Sequence, residues 1–404
     1  MPLFKNLIAE ELENKKDKFS IELSPEIVKE YRKSVSEVFS NFSKKEIEEE
    51  IEDVRYPGAI PTDEFDEAEK FGITFERSLN WQSHEAVNNW AKDQLKGLVT
   101  IGADGSQIDP VKEFEKPIGL VQVVWIANKH SINGDYEENA KTVVLTPDDL
   151  FFENPNSGYI QVDDQEVPLT RFETEMEVLR DQIEEYSEEK PAPVVFYDGS
   201  LILSFIQMFD QKAQKRYSDA LARLLAASQY HRVPVVGYVS GSKATELGGM
   251  IKNLDILDTD KKVRDYQLLR GILENWGSRT PLFYAHRDKT QKRLKTTYKD
   301  IEFDFSDKIL LSYLKTGSGE QIDRIELPEW IYKEGKIDDV MSVVRAETAV
   351  GRGYPEILQA VDTDAVLSNR DREEFMRICQ EFSEEKDIDL SWNNKALSKK
   401  RRRR

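Results

Sequence analysis

Apolar residues recur at helical spacing through the first part of the chain. Ser24-Pro25-Glu26 is a helix start signal, with serine as the cap and proline in the first turn. The stretch 56–62 carries two prolines and a glycine and cannot continue a helix. We therefore predict a helical leader over residues 1–80 that is separable from the rest of the chain. Its apolar stripe is formed by Ile27, Tyr31, Val35, Val38 and Phe39.

Beyond residue 97 the pattern changes to short apolar runs joined by polar turns, which predicts a three-strand meander. Helices and strands then alternate. This element order is that of a ribonuclease-H-like fold. We predict an α/β protein: a ribonuclease-H-like mixed sheet with flanking helices and a helical N-terminal extension. The predicted strands are 98–103, 119–127, 142–146, 193–197, 233–239, 282–285, 309–314 and 323–327, and the predicted helices are 169–189, 212–228, 243–276, 337–350, 356–367 and 370–385.

Composition and charge limit the class of protein. The 404 residues are 39% hydrophobic, which is enough for a packed core, and the net charge is -19. Such a charge argues against a nucleic-acid partner, but two segments are basic: 287–300 has a net charge of +4 and 395–404 one of +7. An acidic body with local basic segments can still bind DNA. The alternative for the second segment is a solvated tail.

Cys379 is the only cysteine, so the sequence predicts neither an intramolecular disulfide nor a cysteine-based zinc site. No apolar run is long enough to span a membrane or to form a signal sequence. We expect a cytoplasmic protein without a membrane partner.

The tripeptide Asp-Gly-Ser occurs twice, at Asp104-Gly105-Ser106 and Asp198-Gly199-Ser200, each time directly after a predicted strand. A strand end can direct a carboxylate from a rigid element into a crevice, although Asp-Gly is also a common turn. If the two aspartates share a site, both remain ionised only with a cation between them. Oxygen ligands suit Mg²⁺ or Mn²⁺, and a two-metal site would hydrolyse phosphodiesters.

The predicted helix 169–189 offers a further carboxylate. Its apolar face follows Phe172 and Met176, and Glu175 lies about 60° from that face, which is near enough to reach a site between helix and sheet. A snorkelling side chain would also occur at this position. The other acids of the helix are expected on a solvated face: Glu173, Glu177, Glu184 and Glu185.

Other candidates are less specific. Lys243 follows Ser240-Gly241-Ser242 and would contact a scissile phosphate, or simply start a helix. Arg324 with Glu326 is typical of a structural ion pair, with DNA contact as the alternative. The four histidines are not clustered in the sequence and are interpreted as surface or core imidazoles: His84, His130, His231 and His286.

Across residues 80–382 the chain resembles the NurA family, nucleases that partner the HerA translocase in DNA end processing. The resemblance implies a ribonuclease-H-like core, Mn²⁺-dependent cleavage of DNA, a homodimer, a hexameric HerA-type ATPase partner, and metal ligands at Asp104, Glu175 and Asp198. It rests on the order and spacing of Gly102-Ala103-Asp104-Gly105-Ser106-Gln107, Arg171-Phe172-Glu173-Thr174-Glu175, Phe196-Tyr197-Asp198-Gly199-Ser200-Leu201, Arg279-Thr280-Pro281-Leu282-Phe283, Arg324-Ile325-Glu326-Leu327-Pro328-Glu329-Trp330, Gly353-Tyr354-Pro355 and Ala365-Val366-Leu367.

One position departs from this family pattern. Asp362 stands where such proteins often carry a histidine, and its oxygens would still ligate Mn²⁺ or Mg²⁺. We expect a metal-dependent DNA exonuclease, with endonuclease activity as a further option, with 81–382 as its nuclease domain and 383–404 as a basic tail. Asp104, Glu175, Asp198 and Lys243 are its predicted catalytic residues. The alternative is a non-catalytic adaptor of a HerA-type ATPase. A phosphatase of small substrates lacks a glycine-rich phosphate loop.

Overall fold

The fold is a mixed α/β architecture. The computed structural model describes residues 3–18, 25–68, 72–81, 83–110, 116–131, 133–153, 158–254, 263–288, 293–317, 319, 321–388 and 390. Most of the predicted basic tail lies outside the described residues, as does 289–292 of the first basic segment. The helices are α1 (Lys5–Asn14), α2 (Pro25–Asn41), α3 (Lys44–Glu50), α4 (Glu64–Glu67), α5 (His84–Leu95), α6 (Pro147–Leu150), α7 (Glu166–Glu185), α8 (Gln211–His231), α9 (Glu246–Asn253), α10 (Asp265–Leu269), α11 (Glu329–Lys333), α12 (Ile337–Val350), α13 (Glu356–Ala365) and α14 (Asn369–Lys386).

The strands form one large sheet and two short hairpins. None of the described helices combines the length and apolar character needed to cross a lipid bilayer. The strands are β1 (Gly58–Pro61), β2 (Thr100–Ile108), β3 (Gly119–Asn128), β4 (Tyr136–Leu145), β5 (Phe151–Glu153), β6 (Ile160–Val162), β7 (Val194–Asp198), β8 (Val235–Val239), β9 (Phe283–His286), β10 (Lys295–Tyr298), β11 (Ile301–Asp304), β12 (Ile309–Lys315) and β13 (Ile322–Pro328).

The order of the large sheet is β1-β9-β12-β13-β8-β7-β2-β3-β4. Strands β2, β3 and β4 form an antiparallel meander, and β7 and β8 continue the sheet parallel to β2. The run β4-β3-β2-β7-β8 therefore has the strand order and directions of a ribonuclease-H-like sheet. The predicted fold class is confirmed by this topology.

Helices cover both faces of the sheet, because side chains alternate between the faces along each strand. In β7, Val195 and Tyr197 join the core under α7 and α8, whereas Val194 and Phe196 join the core under α5, α12 and α13. Strand β7 is accordingly apolar at every position before Asp198.

The segment before residue 80 shares this core. Tyr31, Val35 and Val38 of α2 are buried in the same cluster as α7 and α8. Strand β1 pairs with β9 at the edge of the sheet. The buried guanidinium of Arg279 donates to both carboxylate oxygens of Glu64 at 2.7 Å, which fixes α4 to the sheet.

Several elements differ from the sequence prediction. The described part of the predicted helix 243–276 forms two short helices, α9 and α10, and not one long helix. Strand β2 continues through Asp104-Gly105-Ser106 to Ile108, so Asp104 lies inside a strand and not at its end. Strand β4 begins six residues earlier than predicted because it is a largely exposed edge strand without apolar alternation. Strand β1 occupies the predicted break. The hairpin β10–β11 begins in the first basic segment and is at most partly buried, with only Tyr298 and Phe303 packed on the core.

The ion pair between Glu64 and Arg279 generates a stability prediction. Glu64→Ala should lower the free energy of unfolding by about 3 kcal/mol, because it leaves the Arg279 guanidinium buried without its counter-charge. Urea denaturation measures the change. Glu67→Ala, in the same short helix and exposed, is the matched control and should alter stability by less than about 0.5 kcal/mol. Equal stabilities of the two variants would contradict this role of the pair.

Candidate metal centre

Strand β2 carries the first carboxylate of the candidate site. Gly102 lies against Ile357 and Val361 of α13, so Asp104, two residues along, faces the α13 side of the sheet. Its side chain is half-buried, and its Oδ1 accepts a hydrogen bond from the Gly105 amide at 2.8 Å. Gly105 faces the opposite side, towards α7.

Helix α7 approaches the sheet at Gly105 more closely than any side chain would allow. A Cβ at this position would lie 2.5 Å from Oε1 of Glu175 and 2.7 Å from Cγ of Arg171. The glycine therefore lets Glu175 reach the strand backbone beside Asp104. Glu175 is only 7% exposed, and of the acids in α7 it is the one that lies against the strand at Asp104. Helical periodicity selected the same residue.

Asp198 ends β7, as the sequence predicted, and shares the face of Phe196. It therefore points to the α13 side, like Asp104. Its carboxylate accepts a hydrogen bond from the hydroxyl of Tyr354, in the loop between α12 and α13. Asp362 is exposed on α13, and its charge acts on both Asp104 and Asp198.

Burial, with a smaller contribution from neighbouring carboxylates, raises the pKa of three of these acids. Burial raises the pKa of Asp104, and the charges of Asp198 and Asp362 add to the shift. Burial likewise raises the pKa of Asp198, with Asp362 contributing, although Tyr354 opposes it. The strongest shift is at Glu175, where burial raises the pKa to about 8 against the opposing charge of Arg171.

Arg171 compensates this negative charge only in part. Its Nε lies 3.4 Å from Oε1 of Glu175, and the same nitrogen is buried without a hydrogen-bond partner among the described residues. Asp104 and Asp198 lie on the face of the sheet towards α13, whereas Glu175 lies on the opposite face, in α7. Within the described ranges, no three carboxylate, imidazole or thiolate side chains are grouped closely enough to hold a metal ion.

The chemistry of the donors nevertheless fits a divalent cation. The four carboxylates offer only hard oxygen atoms, which suit Mn²⁺ and Mg²⁺. Burial together with neighbouring negative charge raises the pKa of Asp104, Glu175 and Asp198, so the folded chain holds acidic groups here without enough positive charge to balance them. A cation would remove that imbalance.

A surrounding layer of buried polar groups holds the site elements together. Glu347 of α12 is fully buried and accepts hydrogen bonds from the Thr100 hydroxyl at 2.8 Å and from the Ile357 amide at 2.9 Å. It thus links β2 to the first turn of α13. The carboxylate of Asp323 accepts hydrogen bonds of 2.7 to 2.9 Å from the hydroxyls of Tyr238, Ser240 and Thr316. The ring of Tyr238 in turn meets the edge of Tyr354 at 5.2 Å.

Lys243 lies in the loop after β8, where its exposed side chain borders a cavity of about 360 Å³ that also contacts Ser200. Among the described residues it has no polar contact with the four carboxylates. The predicted structural ion pair is confirmed: Nε of Arg324 donates to Glu326 at 2.6 Å, and its Nη1 donates to Glu246 at 2.8 Å.

The prediction of a solvated face for the other acids of α7 is wrong for Glu173. This side chain instead accepts hydrogen bonds from Arg216 of α8, one of them at 2.8 Å, because α8 packs beside α7. Sequence reasoning missed the contributions of Arg171, Tyr354 and Glu347. Arg171 precedes Glu175 by one helical turn, a spacing that favours ion pairs and could have revealed it. Glu347 gave no such signal, since its partners are distant in sequence.

The sequence matches the model of a known protein family. The sequence model of a family described as "NurA domain" matches residues 98–367, which include β2, α7, β7 and α13 with all four carboxylates. Among solved structures, a chain described as "Crystal structure of Drosophila Piwi" aligns with a TM-score of 0.26 and 12% identity. The alignment covers 72% of this chain and 34% of the Piwi chain, so the protein spans about a third of that relative. No curated protein matches.

The raised pKa of Glu175 makes metal-free stability depend on pH. Between the ordinary value near 4.5 and about 8, the folded state holds a proton that the unfolded state has released, so Glu175 lowers stability as pH rises. Glu175→Gln removes this cost. In EDTA, the stability gained by the variant over the wild type should be larger at pH 8 than at pH 5, by an amount on the order of 3 kcal/mol.

Chemical denaturation at the two pH values measures this difference. Glu177→Gln, a partly exposed position in the same helix, is the control and should show no comparable change. A gain for Glu175→Gln that is the same at both pH values would contradict the account.

Proposed function

The chain belongs to the NurA family of nucleases, and from this premise we propose that it is a metal-dependent deoxyribonuclease. It would hydrolyse phosphodiester bonds at DNA ends or in single strands, as an exonuclease with endonuclease action as a second mode, in DNA repair or end resection. The observation that carries the proposal is the group of carboxylates with raised pKa values around the neighbouring strands β2 and β7 of the ribonuclease-H-like sheet.

We propose Mn²⁺, or Mg²⁺, as the cofactor, held by Asp104, Glu175, Asp198 and Asp362. A bound divalent cation would stabilise negative charge on the phosphodiester and lower the pKa of the attacking water. Asp104 and Asp198 come from neighbouring parallel strands, so their positions are fixed by the sheet. Glu175 and Asp362 come from the helices on its two faces.

The remaining groups of the site would orient ligands and substrate. The hydroxyl of Tyr354 donates to Asp198 and so restricts the direction of that carboxylate. Arg171 is 42% exposed and lies beside Glu175, where it would meet a phosphate at the crevice. Lys243 lines the cavity of about 360 Å³ that follows β8. We propose it as the second cation that contacts the scissile phosphate.

The proposed partners are DNA, a HerA-type hexameric ATPase and a second copy of the chain. Two surfaces support docking: α1, which buries none of its residues, and the β5–β6 hairpin. Both expose apolar side chains, and such patches are typical of interaction surfaces. We propose that residues 81–382 carry the nuclease function, that 1–80 contribute to a partner surface, and that the basic tail 383–404 contacts DNA. A cytoplasmic location is proposed because the chain has a single cysteine.

The second candidate function is a non-catalytic adaptor or regulator of a HerA-type ATPase. Two observations favour it: Asp362 stands where the family often has a histidine, and it lies exposed at the margin of the carboxylate group. A weakened metal site would leave the fold and its docking surfaces intact.

The nuclease proposal predicts degradation of linear DNA by the wild-type protein with Mn²⁺. Asp104→Asn and Asp198→Asn should each lower the rate by at least about 100-fold, since even groups that only support metal ligands are worth about 10 to 100-fold. Gel assays on single-stranded and blunt-ended DNA measure the rates, and circular dichroism checks the fold. Asp364→Asn, exposed on α13 near Asp362, should retain activity. Full activity in both strand variants would refute the proposal.

The variant Asp362→His distinguishes the adaptor function from the nuclease function. If the wild type is a nuclease, this variant changes the metal preference or the pH profile of an existing activity. If the wild type is inert over all metals tested and Asp362→His creates Mn²⁺-dependent cleavage, the adaptor function is favoured. Stimulation of a HerA-type ATPase by the inert wild type, measured as phosphate release, would support it directly.

A further inference from the structure

A cavity of about 940 Å³ lies on the side of the sheet covered by α5 and α12, the side that Asp104 and Asp198 also face. It is bounded by α5, the C-terminal end of α12 and the turn between β12 and β13. Gly353 lines it, and the next residue, Tyr354, donates a hydrogen bond to Asp198. A single residue therefore separates the cavity from the candidate metal centre.

Two tryptophan rings form one wall. Trp81 and Trp276 are partly exposed and lie with their centroids 5.5 Å apart. The indole N–H of Trp276 donates to the carbonyl of Thr316 at 2.8 Å, which fixes the ring. Phe75 and Trp90 pack behind both rings, with centroids 5.1 to 6.3 Å from them. This wall offers rigid aromatic faces to a ligand.

The charge of the cavity is opposite to that of the protein. None of its described lining residues is acidic, although the chain has 76 acidic residues against 57 lysines and arginines. Lys92 and Arg352 are exposed on the lining, with His84 near them. In the part of the chain that the structure describes, neither Lys92 nor Arg352 forms an ion pair. The cavity therefore suits a ligand that is both aromatic and anionic.

We propose that this cavity binds unpaired nucleobases and adjoining phosphates of a single DNA strand whose backbone leads to the carboxylate group. Bases stack on aromatic side chains only when they are unstacked from their own neighbours, so the wall selects single-stranded over duplex DNA. Lys92 and Arg352 are placed to meet the phosphates. The inference rests on the proposed nuclease function and names the form of DNA that its site receives.

Binding without cleavage tests the cavity. The full-length protein is titrated in EDTA with a fluorescently labelled single-stranded 12-mer and with an abasic strand of equal length. Trp81→Leu should weaken binding of the natural strand by about tenfold, because one stacked base is lost, and should leave binding of the abasic strand unchanged. Circular dichroism and thermal unfolding confirm that the variant is folded.

Lys92→Glu supplies a surface variant that does not alter the aromatic packing. This variant should weaken the binding of both strands by about fivefold or more and lower the salt dependence of binding. Lys96→Glu, one turn further along the same surface and outside the cavity, is the matched control and should bind like the wild type. The proposal is overturned if Trp81→Leu and Lys92→Glu bind the natural strand like the wild type, if the wild type binds both strands equally, or if Lys96→Glu is impaired as strongly as Lys92→Glu.

The chemistry is followed separately with bis(p-nitrophenyl) phosphate and Mn²⁺, a phosphodiester too small to need the cavity. Trp81→Leu and Lys92→Glu should hydrolyse it at the wild-type rate, which would support a role in strand binding alone. Loss of this hydrolysis in both variants would overturn the inference, because the cavity would then act on the metal centre itself. If even the wild type is inactive here, the nuclease proposal fails while the binding titrations still decide the cavity.

Discussion

The candidate site depends on the burial and mutual repulsion of carboxylates that the central strands β2 and β7 and the helices on both faces bring together. Asp104 and Asp198 are fixed by neighbouring parallel strands, and Glu175 is pressed against the backbone at Gly105. Burial raises the pKa of each, most strongly that of Glu175. Ionising these carboxylates therefore costs the folded chain stability, and a divalent cation bound between them would offset that cost.

Buried polar groups away from these carboxylates fix the positions of the strands and helices that carry them. Glu347 joins β2 to α13, and Asp323 gathers three hydroxyls beneath the ring that supports Tyr354. These acids are fully or almost fully buried and hydrogen-bonded, so they constrain positions instead of binding solvent. Gly353 lines the aromatic cavity and Tyr354 donates to Asp198, so the loop between α12 and α13 connects that cavity to the candidate metal centre.

The sequence predicted the central sheet because its strands are apolar on both faces, and it selected Glu175 because helical spacing distinguishes the two sides of α7. It missed segments without such periodicity: the first six residues of edge strand β4, hairpin β10–β11 and strand β1. Asp104 was expected at a strand end because Asp-Gly-Ser is typical of turns, but antiparallel pairing with β3 continues to Ile108. Arg216, which binds Glu173, and Glu347 depend on contacts between residues far apart in sequence, which local patterns do not encode.

The proposed function rests on a divalent cation site formed by these carboxylates and not by another part of the chain. The most direct measurement is an anomalous difference map from crystals of the wild-type protein grown with Mn²⁺ at mildly alkaline pH. We expect a manganese peak between Asp104 and Asp198, with Glu175 as a further ligand and Asp362 at its margin. Manganese bound only elsewhere, or an ordered site without a peak at saturating Mn²⁺, would contradict it.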